Sequence, residues 1–156
     1  MKKIIIIISI FLLDRASKLY LIDLQTNGTD IDFYLFPFLN IILVWNTGIA
    51  FGIASMESNI YYHILTTIIV IINIVLIVLL YKKKSIYVLP FSMIIGGSFG
   101  NLFDRIYFRA VPDFIDLHIN NLHWFTFNVA DIFITLGIIN LIFLEFCKEE
   151  KISTNE

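Results

Sequence analysis

Residues 59–81 have the sequence NIYYHILTTIIVIINIVLIVLLY, an apolar run that contains no Asp, Glu, Lys or Arg. A helix crosses the apolar core of a bilayer with about 20 largely apolar residues, so this run predicts a membrane-spanning helix. Residues 4–22, 86–103 and 127–146 satisfy the same criterion. We therefore expect an all-α membrane protein, a four-transmembrane-helix bundle in which residues 1–156 form a single integral membrane domain.

The composition supports this class of protein and argues against others. Apolar residues make up 58% of the chain, whereas they make up about 45–50% of soluble domains. The net charge of −2 offers no basic surface, so we do not expect nucleic acid as a partner. The single cysteine, Cys147, supports neither a disulfide nor a paired-cysteine metal or redox motif.

Lysines mark one side of the predicted bundle. They cluster at positions 2–3, at positions 82–84, and at positions 148 and 151. Because Lys and Arg are enriched on the cytoplasmic side, we expect both termini in the cytoplasm and residues 23–58 and 104–126 in the outer loops. The N-terminal run resembles a signal peptide, but no small-x-small cleavage site follows it, so we expect it to be retained as the first span.

The first outer loop is expected to contain a small β-rich region. Residues 31–45 mix aromatic and β-branched side chains around Pro37, a pattern typical of short strands. The aromatic residues expected at the membrane interface are Tyr34, Phe36, Phe38 and Trp45. Glycines at positions 28, 48 and 52 would permit this loop to move and close over a substrate as a lid. The sequence does not decide whether it does so.

Two aspartates, Asp113 and Asp131, stand at the edges of apolar sequence. A carboxylate at bilayer depth costs about 2.5–3.5 kcal/mol, which favours a functional role. Counting along the chain brings both residues to the outer leaflet, Asp113 from a loop and Asp131 from the start of the fourth span. Two carboxylates held close together cannot both ionise, so one can accept a proton from water while the other polarises a peptide carbonyl. We expect the neighbouring Asp116 to remain solvated instead.

Five motifs in the chain resemble, in the same order, those of the type II signal peptidases, which are the lipoprotein signal peptidases of bacteria. They are Asp14-Arg-Ala-Ser-Lys18, Asn46-Thr-Gly-Ile-Ala-Phe51, Gly96-Gly-Ser-Phe-Gly-Asn-Leu-Phe-Asp-Arg105, Val111-Pro-Asp-Phe-Ile-Asp116 and Phe127-Asn-Val-Ala-Asp131. Pro112 occupies a position that is more often branched aliphatic in the family. Proline fixes the backbone φ angle before Asp113 without removing a reactive group.

The resemblance implies a membrane-embedded aspartyl endopeptidase with Asp113 and Asp131 as its catalytic residues. Such enzymes remove the signal peptide from prolipoproteins by cleaving before a diacylglyceryl-modified cysteine. The resemblance also implies a location in the bacterial cytoplasmic membrane with the active site toward the outer leaflet, contact with membrane lipid, inhibition by globomycin, and no metal or organic cofactor.

Several other polar residues are expected to support the site or the substrate. Asp14 and Lys18 are separated by four positions and can pair on one helix face. Asp104 and Arg105 are expected to form an ion pair or to anchor the loop that carries Asp113. The remaining candidates are Asn46, Gly48, Asn101 and Asn128. Gly96 and Gly100 form a small-xxx-small pair, which indicates close helix packing.

Three other interpretations compete with this one. A rhomboid-like serine protease would pair Ser98 with His63, and a zinc site would use Asp116, His118 and His123. A small transporter or proton relay would pass protons through Asp14, Lys18 and Asp131. The serine protease leaves the five ordered motifs unexplained, and the zinc site lacks a His-Glu-x-x-His pattern, since its two histidines are five residues apart in a loop. The relay does not explain why Asp113 and Asp131 lie near one surface.

Overall fold

The computed structural model describes residues 1–48, 58–119 and 122–153. Within these ranges the chain forms four long helices and one antiparallel sheet of four strands. In chain order the elements are α1 (Lys2–Thr26), β1 (Asp32–Phe36), β2 (Leu39–Asn46), α2 (Ser58–Lys82), a 3-10 turn (Ser85–Tyr87), α3 (Val88–Phe108), β3 (Val111–Ile119), β4 (Leu122–Phe127) and α4 (Val129–Ser153). Gly52 of the first outer loop and the last three residues of the second motif lie outside the described residues.

Three of the helical segments are long and apolar enough to cross a membrane. They are Ile60–Lys82, Ser85–Phe108 and Val129–Lys148. Helix α1 has 25 residues but carries Asp14, Arg15 and Lys18 along its length, and it is not among these candidates. The expectation of a largely helical membrane protein is therefore confirmed, with three candidate spans instead of four among the residues that the structure describes.

The predicted boundaries of the last two spans need correction. Helix α3 continues past residue 103 to Phe108 and ends at Arg109, whose left-handed backbone (φ 60°) stops the helix. Helix α4 begins at Val129, because Phe127 still belongs to β4 and Asn128 caps the helix. The predicted outer loop 104–126 is therefore a helix end followed by a β-hairpin.

The sheet has the strand order β1-β2-β3-β4, with every neighbouring pair antiparallel. The strands predicted around Pro37 are confirmed, since Pro37 lies in the turn between β1 and β2. The sequence does not predict the second hairpin, β3–β4, and the prediction that Asp113 lies in a loop is wrong. Asp113 lies on β3, an inner strand, where it pairs in register with Val44 of β2. An inner strand holds a side chain more rigidly than a loop does.

Helix α3 lies at the centre of the bundle because small residues let its neighbours approach closely. A Cβ atom added at Gly96 would lie 2.9 Å from the Cβ of Ile10 in α1, and one at Gly100 would overlap the Asp14 carboxylate. On the other side, a Cβ at Gly97 would overlap the Ala130 carbonyl oxygen of α4. The predicted packing role of the small-xxx-small pair is thus confirmed.

Two apolar clusters tie these elements together. Leu80, Tyr87, Phe91 and Ile95 join α2 to the start of α3. A second cluster of Leu21, Ile31 and Phe114 packs the sheet against the end of α1. The sheet is therefore docked on the end of the bundle where α4 begins.

Replacing Gly97 with Ala should destabilise the protein. The added methyl group meets backbone that cannot rotate away, so we expect the free energy of unfolding to fall by about 1–3 kcal/mol, measured by thermal unfolding in detergent. Ile106→Ala is the control on the same helix, since Ile106 is 68% exposed and should tolerate the change. Wild-type stability of the Gly97 variant would contradict the close packing of α3 on α4.

Candidate active site

Asp113 is buried on β3 and accepts a hydrogen bond on each of its carboxylate oxygens. Asn46 of β2 donates its Nδ2–H to Oδ2 at 2.8 Å, and Asn128 donates its Nδ2–H to Oδ1 at 2.5 Å. Only 3% of the residue's surface is exposed. Two amides from different elements therefore fix the orientation of this carboxylate.

Asp131 lies in the first turn of α4 and is half-buried. Its Oδ2 accepts the backbone N–H of Asn128 at 3.1 Å, while Asn128 Oδ1 accepts the backbone N–H of Asp131 at 3.2 Å. This reciprocal pair is a capping box, which satisfies two backbone N–H groups that a helix start leaves free. Asp131 Oδ1 also accepts the Nδ2–H of Asn101 at 2.8 Å. Asp131 thus caps helix α4 and also belongs to the candidate site.

Asn128 contacts both aspartates at once. Its side chain donates to Asp113, and its backbone N–H donates to Asp131. The structure thereby brings together two carboxylates that are separated by 18 positions in the sequence.

Asn46, Asn101 and Asn128 each accept a hydrogen bond on the side-chain oxygen, and this bond orients the amide. The Oδ1 of Asn46 accepts the N–H of Gly48 at 2.7 Å, and the Oδ1 of Asn101 accepts the Lys18 ammonium at 2.8 Å. Asn128 is fixed by the N–H of Asp131. An amide whose oxygen is engaged must present its NH₂ group on the other side, so all three NH₂ groups point at the aspartates. Gly48 adopts φ +75°, a backbone conformation that glycine accepts readily.

A buried cluster of four charges lies behind Asn101. The Lys18 ammonium lies 2.9 Å from Asp14 Oδ2 and 2.7 Å from Asp104 Oδ2. Arg15 contacts the same two carboxylates, at 3.0 Å to Asp14 and 2.5 Å to Asp104. Lys18, Asp14 and Asp104 have no exposed surface. Two cations balance two anions, which is the arrangement that makes buried charge tolerable.

Of the two expectations for Asp104 and Arg105, the ion pair between them is wrong. Asp104 faces α1, where Arg15 and Lys18 hold it. Arg105 donates from its NH1 to the Asn101 carbonyl oxygen at 3.3 Å, and its own carbonyl oxygen accepts the Tyr62 hydroxyl of α2. Arg105 therefore joins α2 to α3 through its carbonyl oxygen. The expectation that its side chain anchors the segment carrying Asp113 stays a prediction.

Arg15 is a site residue that the sequence does not reveal. It stands within the first motif, next to Asp14, but nothing in the spacing indicates that its guanidinium reaches Asp104, 89 positions away. Asp14 also holds α4 directly, since its Oδ1 accepts the backbone N–H of Ala130 at 3.0 Å.

Burial raises the pKa of Asp113 above its ordinary range, because a buried carboxylate loses its hydration. The hydrogen bonds from Asn46 and Asn128 act in the opposite direction, and the negative charge of Asp131 raises the pKa again. The charge of Asp131 therefore acts on the Asp113 carboxyl group.

The residues of the competing interpretations lie elsewhere. The Oγ of Ser98 accepts the Nδ2–H of Asn73 at 2.7 Å, whereas His63 is exposed and packs on the ring of Tyr62. The Ser98–His63 pair is therefore wrong. Asn73, near the middle of α2, thus forms a hydrogen bond to α3 that the sequence does not predict.

Asp116 is fully buried, which contradicts the expectation that it stays solvated. Its Oδ2 lies 2.7 Å from His123 Nδ1 and its Oδ1 accepts the Thr126 hydroxyl at 3.3 Å, so it links β3 to β4. Within residues 1–48, 58–119 and 122–153, no three His, Cys, Asp or Glu side chains are grouped to hold a metal ion.

Replacing Lys18 with Met should destabilise the protein strongly. The substitution leaves Asp14 and Asp104 with one cation between them, so we expect unfolding to become easier by about 3–5 kcal/mol in a thermal scan in detergent. Lys148→Met is the matched control, because it removes an exposed lysine that pairs with Glu145. Equal effects of the two substitutions would mean that the buried cluster is not required for folding.

Known proteins resemble this chain over nearly its whole length. A family profile described as signal peptidase (SPase) II matches residues 6–147. A lipoprotein signal peptidase of Pelagibacter ubique is 47% identical over 153 residues, which cover 98% of this chain and 92% of that protein. The corresponding protein of Anaplasma phagocytophilum is 39% identical over 96% of this chain and 95% of its own length. A solved bacterial membrane enzyme superimposes with a TM-score of 0.77 at 28% identity, over 96% of this chain and 90% of the other. The chain therefore belongs to the signal peptidase II family.

Proposed function

We propose that this protein removes the signal peptide from prolipoproteins by cleaving before a diacylglyceryl-modified cysteine, with Asp113 and Asp131 as its catalytic pair. Membership of the signal peptidase II family supports the reaction. The assignment of Asp113 and Asp131 as the catalytic pair is supported by Asn128, which donates one hydrogen bond to each of them.

The reaction follows from one proton shared between two carboxylates. The ionised member removes a proton from a water molecule, whose oxygen attacks the carbonyl carbon of the scissile peptide bond. The protonated member donates to the carbonyl oxygen and stabilises the negative charge that develops there. When the tetrahedral intermediate collapses, the carboxyl group that took the proton from water donates it to the leaving amine. The other carboxylate regains its proton from a hydroxyl of the intermediate, which becomes the new carbonyl group. The burial of Asp113 favours this scheme, because low polarity makes the doubly ionised pair unfavourable.

Helix α1 supplies the fourth membrane span in this proposal. It has the length of the other spans, and its three central charges are buried against α3. Burial inside a bundle is how membrane proteins keep ionisable residues away from lipid. Both termini then lie in the cytoplasm, and the sheet and the aspartates lie toward the outer leaflet of the bacterial cytoplasmic membrane.

The substrate and inhibitor follow from the same family assignment. A peptide whose cysteine carries two acyl chains would enter laterally from lipid, beside exposed aromatic residues of the sheet such as Tyr34 and Phe38. Globomycin, a cyclic peptide inhibitor of the family, would occupy the same place.

A proton relay is less well supported. The hydrogen-bonded chain from Lys18 to Asp131 passes through the amide of Asn101. A relay needs groups that gain and lose protons in turn, and a carboxamide does neither at ordinary pH. The chain of contacts therefore favours alignment of Asp131 over conduction.

Asp113→Asn and Asp131→Asn should each abolish processing of a diacylglyceryl-modified prolipoprotein. Each variant keeps one carboxyl group, which cannot be the ionised base and the protonated acid at the same time, so we expect cleavage to slow by at least about 10²–10⁴-fold in a gel-shift assay. Asp32→Asn, which changes an exposed carboxylate on β1, and Ser98→Ala serve as controls and should cleave at nearly the wild-type rate. Full cleavage by either Asp113→Asn or Asp131→Asn would reject the pair.

Asn46→Ala should move the alkaline limb of the pH–rate profile to higher pH. The hydrogen bond from Asn46 lowers the pKa of Asp113, so its removal raises that pKa and the pair keeps its proton to higher pH. The measurement is kcat/KM between neutral and alkaline pH, with Asn40→Ala on the same strand as the control. A limb that stays in place, or moves to lower pH, contradicts the role given to Asp113.

A further inference from the structure

A cavity of about 480 Å³ lies at the end of the bundle that carries the lysines, far along α4 from Asp131. It is bounded by the connection between α2 and α3 and by α4. Its lining includes Lys83, Lys84, Ile86, Tyr87, Leu144 and Lys148. Neither candidate catalytic residue contributes to it.

The ends of the candidate membrane spans fix the depth of this cavity. One span ends at Lys82, the next begins at Ser85, and a third ends at Lys148. Residues at the ends of spans lie where lipid headgroups meet the apolar core. The cavity therefore opens at headgroup depth.

The charges around the cavity do not cancel. Lys148 lies 3.2 Å from Glu145 Oε2, and the Tyr87 hydroxyl donates to Glu145 Oε1 at 3.2 Å. This carboxylate offsets one of the three lysines. The Lys83 ammonium lies 5.5 Å from the centre of the Tyr87 ring, and Lys84 stands beside it in the chain. Among the described side chains at the cavity, three lysines therefore face one carboxylate, which leaves an excess of two positive charges.

We propose that this cavity binds the headgroup of an anionic phospholipid. The phosphate would lie among Lys83, Lys84 and Lys148, and the first carbons of the acyl chains would pack against Ile86 and Leu144. The apolar walls favour a lipid over free phosphate. The lysines favour a headgroup with net negative charge over the zwitterionic headgroup of phosphatidylcholine, whose ammonium group they repel. Basic pockets between membrane helices provide this combination of charge and apolar surface.

The first test uses the wild-type protein in detergent and measures acylation of each lysine by an amine-reactive ester with mass spectrometry. Added phosphatidylglycerol should slow the labelling of Lys83 and Lys84 at least about fivefold relative to Lys2 and Lys82, which lie outside the cavity lining. Phosphatidylcholine and inorganic phosphate should produce no such protection.

The second test compares two double variants that lose the same charge. Lys83→Gln/Lys84→Gln should lose bound phosphatidylglycerol in native mass spectrometry, with affinity reduced at least about tenfold. Lys2→Gln/Lys82→Gln should retain it.

Several results would overturn the proposal. They are equal protection of all four lysines, protection by phosphatidylcholine, protection by inorganic phosphate alone, or an equal loss of lipid in the two double variants. The labelling experiment needs only the wild-type protein, so it decides the matter even where the first double variant does not fold. Neither variant alters a residue of the candidate active site, so prolipoprotein cleavage in detergent checks that each remains folded.

Discussion

The charge balance of one buried cluster is the constraint on which the site depends. Asp14 and Asp104 have no exposed surface, and a buried charge without a partner costs several kcal/mol. Lys18 and Arg15 must therefore remain in contact with both carboxylates, which holds α1 against α3. Asp14 also accepts the N–H of Ala130, so the start of α4 is held by the same group. Three helices meet at this cluster, and Asp131 lies one residue beyond that contact.

The sequence is sufficient where the signal is local. Long apolar runs predict α2, α3 and α4, and the cost of charge in lipid directs attention to Asp113 and Asp131. The three-residue spacing of Asn128 and Asp131 also predicts that they lie on the same helix face. In the structure they contact each other through the reciprocal hydrogen bonds of the capping box. These inferences depend only on neighbours within a few positions.

The sequence is insufficient where a partner is distant along the chain. Asp104 stands next to Arg105, which makes a local ion pair attractive, yet its true partners lie 86 and 89 positions earlier. Strand β3 is covered on most of its length by neighbouring elements and lacks the alternation of a half-exposed strand, so its sequence suggests a loop around Asp113. The prediction for Asp116 is wrong for the same reason, because its burial depends on β4.

The distance between the cations and the aspartates also matters for the proposed chemistry. A cation in direct contact with Asp131 would favour its ionised form and oppose the sharing of a proton with Asp113. Asn101 prevents this contact. Its oxygen accepts Lys18 and its NH₂ group donates to Asp131, so the lysine fixes the position of the carboxylate without pairing with it. The same logic applies on the other side, where Asp113 is held by two neutral amides instead of a cation. Neutral donors can thus orient both carboxylates firmly while one proton stays between them.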